Sequence, residues 1–105
     1  MVLKTPSLPQ AEIGELCRKY GVKELAVFGS ILRDDFGPDS DVDFLVTFEN
    51  DDYGPWGRKL TDLKEELAKL LGRGVDLVPR RAIDRSRNRT RRRSILESAA
   101  VIYGP

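Results

Sequence analysis

The sequence predicts a small α/β domain, on three observations. Helical apolar periodicity appears over residues 8–20 and 58–71. Short β-branched and aromatic runs stand at 25–28, 42–48 and 75–78, alternating with those helices. The length of 105 residues suits one domain, so residues 1–105 are read as a single unit. Ile, Leu, Val and Phe supply 30 residues, enough apolar material for one modest core.

Each element follows from its own signals. Ser7-Leu8-Pro9-Gln10 resembles a capping box. Ile13, Leu16, Cys17 and Tyr20 then form an apolar stripe that Gly21 terminates. Leu25-Ala26-Val27-Phe28 is a strand closed by Gly29-Ser30. Residues 30–35 have room for one or two helical turns, and Gly37-Pro38-Asp39-Ser40 reads as a turn. Val42–Phe48 is the longest strand, and the polar loop from Glu49 to Gly57 is a candidate lid. Leu60, Leu63, Leu67, Leu70 and Leu71 set a second stripe ending at Gly72, after which Val75–Val78 is a strand stopped by Pro79. Residues 84–99 read as one third helix, and Ala100–Tyr103 as an edge strand.

Composition removes several chemistries. Histidine is absent and Cys17 is the lone cysteine, which excludes Ser-His-Asp and Cys-His catalysis, zinc fingers and an internal disulfide. Cys17 itself sits in the apolar stripe and reads as a core residue. No apolar run approaches a membrane span and no signal peptide is recognisable, so the expected location is the cytoplasm. The net charge of +1 conceals an uneven distribution. Eight arginines against Asp84 give residues 80–93 a charge of +7, leaving −6 on the rest. Such a block suits a solvated helix face, a nucleic-acid patch or a dock for an acidic partner.

The candidate chemistry rests on carboxylates. Asp41 and Asp43 flank Val42, and strand alternation sends both to one face while Val42, Phe44, Val46 and Phe48 take the other. Asp76 interrupts an otherwise apolar strand, where a buried acid would need a partner or a metal. Three carboxylates on neighbouring strands suit a hard divalent cation such as Mg²⁺. Gly29-Ser30, ending a strand, has the character of a phosphate-binding turn, although a plain turn would look the same.

Val27-Phe28-Gly29-Ser30 followed by Asp39-Ser40-Asp41-Val42-Asp43-Phe44-Leu45-Val46 resembles the Gly-Ser, ten residues, Asp-x-Asp signature of the polymerase β nucleotidyltransferase superfamily. With Leu71-Gly72-Arg73-Gly74-Val75-Asp76-Leu77-Val78, the chain is similar over residues 10–103 to the minimal nucleotidyltransferase (MNT) antitoxins. The resemblance implies a mixed sheet with flanking helices and an ATP substrate with two Mg²⁺ ions. It also implies a HEPN-type ribonuclease toxin as partner, silenced by AMP transfer to a tyrosine. On that resemblance Asp41 and Asp43 hold both ions, Asp76 holds the catalytic one and takes the proton of the attacking hydroxyl, and Gly29 and Ser30 grip the triphosphate. Arg33 is a further phosphate contact, or else the partner of Asp34 or Asp35. Two other readings stand beside this one: an antitoxin that neutralises its toxin by contact alone, and a nucleic-acid binder using the arginine segment.

Overall fold

The computed structural model describes residues 8–32, 37 and 40–104. The first helix, α1 (Gln10–Tyr20), buries Ile13 and Cys17 and ends at Gly21, whose φ of 69° is the left-handed stop its position calls for. The expected cap at Ser7 lies outside the described residues; Pro9 occupies the N-cap without a side-chain bond. Strand β1 (Val22–Phe28) begins three residues earlier than the apolar run suggests, because Val22 and Glu24 find partners in Phe48 and Thr47 of β2 (Val42–Phe48). Helix α2 (Arg58–Leu71) buries Leu63 and Leu67, and β3 (Val75–Pro79) follows. The chain closes with α3 (Arg80–Asp84), α4 (Arg89–Ser98) and β4 (Ala100–Tyr103).

The four strands form one mixed sheet in the order β3-β2-β1-β4, with β2 parallel to β3 and the other pairs antiparallel. Alternation sends Val42, Phe44, Val46 and Phe48 to one face, where they meet Leu25, Val27, Val75 and Leu77 under α1 and α2. Leu45, Ala26 and Phe28 point to the opposite face and pack against Ile83 of α3 and Ile95 of α4. The molecule is therefore three layers, two helices on each face of the sheet.

Two expectations change. The helix expected over residues 84–99 is broken by a turn at 85–88, because the Asn88 side chain accepts from the Arg91 N–H at 3.0 Å and starts a new helix. The loop after β2 is not a lid over the acids. It leaves the far end of β2, about 20 Å of strand from Asp41, and is pinned by Tyr53 packing on Phe48 and by the Lys59–Asp52 ion pair. Among the described residues no helix is long and apolar enough to cross a membrane.

Candidate active site

The site forms where the acid-bearing ends of β2 and β3 meet the end of β1. Phe28, the last residue of β1, pairs with Asp43 of β2, and Asp43 stands in register with Asp76 of β3. Neighbouring strands lie about 4.8 Å apart, so these two carboxylates share one face as next neighbours. Like charges placed so oppose strand pairing unless a cation lies between them.

Glycine geometry marks how tightly the backbone closes on the acids. Gly29 adopts φ of 72° and opens a 3₁₀ turn over Gly29–Leu32. A Cβ there would lie 2.5 Å from Asp43 Oδ2, so a side chain is excluded by contact as well as by conformation. Ser30 is the second residue of that turn. On the other flank, the Val42 N–H donates to the Gly74 carbonyl at 3.0 Å, which continues the β2–β3 ladder to Asp41. A Cβ on Gly74 would lie 2.1 Å from Asp41 Oδ1. Gly29 is required by its φ, whereas at Gly74 a side chain would displace the exposed Asp41 carboxylate.

Arg73 is a residue that the sequence reading left without a role. Its Nη1 donates to the carbonyls of Gly37 at 3.3 Å and Ser40 at 3.2 Å, tying the turn before β3 to the segment that delivers Asp41. The Ser40 N–H donates to the Gly37 carbonyl at 3.1 Å, and Ser40 Oγ accepts from the Gly37 N–H, so Ser40 binds Gly37 through both backbone and side chain. Arg33, Asp34 and Asp35 lie outside the described residues.

One premise is corrected. Asp76 is not a buried acid: it and Asp41 are exposed and Asp43 is half-buried, because the helices cover only part of this face. The reason to expect a cation is the adjacency of the acids, not their desolvation. Asp43 and Asp76 are brought together, whereas Asp41 turns toward Gly74, and among the described residues no three His, Cys, Asp or Glu side chains gather into a metal-holding group. A pair of carboxylates with hard oxygen donors still fits Mg²⁺, which takes one or two carboxylates and fills its shell with water and phosphate.

A family model for the nucleotidyltransferase domain matches residues 13–102. The chain belongs to this family. The protein adenylyltransferase MntA of Thermococcus cleftensis is 46% identical over 72 residues, covering 69% of this nucleotidyltransferase and 70% of the relative. A toxin-antitoxin crystal structure with AMP-PNP superposes with a TM-score of 0.69 at 23% identity, over 93% of this chain and 75% of that one. A complex of a tri-AMPylated Shewanella oneidensis HEPN toxin with its MNT antitoxin gives 0.61 at 22% identity, over 91% and 70%. At these identities the two structures are likenesses of fold. The small mixed sheet of this nucleotidyltransferase, with helices on both faces, is thus a fold it shares with both complexes.

Proposed function

We propose that this nucleotidyltransferase moves AMP from ATP to a tyrosine hydroxyl of a HEPN-type ribonuclease toxin and so acts as its antitoxin. The observation that carries the reading is Asp43 in register with Asp76, with Gly29 held against the Asp43 carboxylate. The adenylyltransferase name of the Thermococcus relative supports protein as acceptor, and the HEPN complex supports the class of partner. ATP as donor and an RNA-cutting partner support a cytoplasmic reaction.

By the family resemblance, Asp41 and Asp43 would hold both Mg²⁺ ions, with Asp76 sharing the catalytic one beside Asp43. When bound, Mg²⁺ neutralises the charge on the α-phosphate and on the departing pyrophosphate. The Gly29-Ser30 turn offers backbone amides to the triphosphate, because a glycine with positive φ lets the chain curl toward an anion. Asp76, open to solvent, accepts the proton of the attacking hydroxyl.

The test is labelled-ATP transfer onto a purified HEPN toxin with Asp43→Asn and Asp76→Asn. Each variant should lose about 100-fold or more in rate. Its melting temperature without Mg²⁺ should hold or rise as repulsion between β2 and β3 falls. Transfer at the wild-type rate would refute the assignment. A toxin still silenced by Asp43→Asn, unmodified, would establish neutralisation by contact alone.

A further inference from the structure

The two faces of the sheet differ in what can approach them. α1 and α2 cover the first face, and Asp43 and Asp76 belong to the other, the face on which α3 and α4 pack. That side carries the arginine segment.

Seven of its eight arginines divide by what they touch, and the eighth, Arg85, is exposed. Arg80 lies 3.8 Å from Glu24 and 3.9 Å from Asp84, and Arg81 binds Asp51 at 3.3 Å while covering the Tyr53 ring. Arg92 donates to the Asp84 carbonyl at 3.2 Å, and Arg93 pairs with Glu97 at 2.9 Å. Arg80, Arg81 and Arg92 tie α3 to β1, to the loop after β2 and to α4, and Arg93 pairs within α4. Arg87, Arg89 and Arg91 are exposed, and among the described residues they make no ion pair.

Local folding gives no reason for them. Arg89, Arg91, Arg92 and Arg93 crowd the first five positions of α4, which has no acid in its first turn. Cations at a helix N-terminus oppose the dipole, and they also repel one another.

We propose that Arg87, Arg89 and Arg91 form the docking surface for an acidic patch on the acceptor protein, an inference that rests on the transfer activity proposed above. The surface belongs to the helical layer that Ile83 and Ile95 pack on the face of the sheet carrying Asp43 and Asp76, so a partner seated there approaches that face. Arginine forks suit fixed carboxylates, and the segment contains no lysine. A polynucleotide fits less well. The whole chain carries only +1, and Asp84 and Glu97 stand among the arginines where a continuous phosphate backbone would meet them.

The experiment compares wild type with the triple variant Arg87→Glu, Arg89→Glu, Arg91→Glu. It measures affinity for a purified HEPN toxin at low and high salt, the melting shift caused by ATP and Mg²⁺, and binding of a single-stranded RNA oligonucleotide. Toxin affinity should fall about tenfold or more at low salt and lose most of its salt dependence. The ATP–Mg²⁺ shift should persist, and the variant should melt no lower than wild type because the N-terminus of α4 gains favourable charge. Unchanged toxin affinity overturns the proposal. So does absence of toxin binding by the wild type, or a loss confined to RNA binding, which would make the surface a nucleic-acid site. A wild type that shows neither labelled transfer nor an ATP–Mg²⁺ shift, while the triple variant still loses toxin, would refute the transferase reading and leave the docking surface standing.

Discussion

Gly29 carries more of the site than its size suggests. Its φ of 72° and the Asp43 oxygen 2.5 Å from where a Cβ would sit mean that even alanine must displace either the turn or the carboxylate. Gly29→Ala should cost about 1–3 kcal/mol in a urea melt, the range for a strained backbone position. It should also abolish the ATP–Mg²⁺ melting shift, since the turn and the acid move together. An unaltered shift would separate the turn from nucleotide binding. Arg73 works by a different route: two carbonyls accept from one guanidinium, so the Asp41 segment and the turn before β3 are held by a charge-assisted link that no motif spacing displays.

At the scale of elements, the break between α3 and α4 decides what the arginine segment can do. Asn88 is the residue that makes α4 a separate helix, through its bond from the Arg91 N–H. Asn88→Ala should destabilise the protein by about 1 kcal/mol, the usual value of an N-cap, and lower the helical circular dichroism signal. The charged residues in the first turn of α4 are all cations, so its dipole receives no other help and the cap matters more than at an acid-rich helix start. A change within measurement error would mean that packing of Ile95 against Leu45 and Phe28 holds α4 without its cap.

Across the whole molecule, the helical layer on the closed face is joined by a tie whose strength depends on pH. Tyr20 of α1 donates to Glu66 of α2, and Lys19 pairs with the same carboxylate at 3.2 Å. The hydrogen bond to Glu66, followed by burial and nearby acids, pushes the Tyr20 hydroxyl from its ordinary 10.0 up to about 12. The same bond, with help from Lys19, holds Glu66 below the usual carboxylate range. A depressed acid contributes stability above its ordinary pKa and loses it as pH falls through the folded value. A raised phenol contributes below its ordinary pKa and loses that as pH rises toward the folded value. The difference in melting temperature between wild type and Tyr20→Phe should therefore be level from about pH 5 to 9 and shrink at both ends. A difference that stays constant from acid to alkali would show that the hydroxyl adds nothing through Glu66.

The sequence by itself determined the elements and the chemistry of the acids. The stripes ending at Gly21 and Gly72 placed α1 and α2, and period-two alternation placed Phe44 in the core and Asp43 on the other face, because these patterns are local. The Gly-Ser and Asp-x-Asp spacing gave the family, which residues 13–102 match. Only the tertiary structure decided what depends on residues distant in the chain. The start of β1 at Val22 follows from pairing with Phe48, and the exposure of Asp76 follows from how little of its face α3 and α4 cover. The closure of Gly74 on Asp41, and the difference between arginines paired within the fold and Arg87, Arg89 and Arg91, which are not, are likewise set by neighbours in space. Periodicity reports which way a side chain points from its own strand or helix; what stands opposite is set by long-range packing, which a local pattern does not encode.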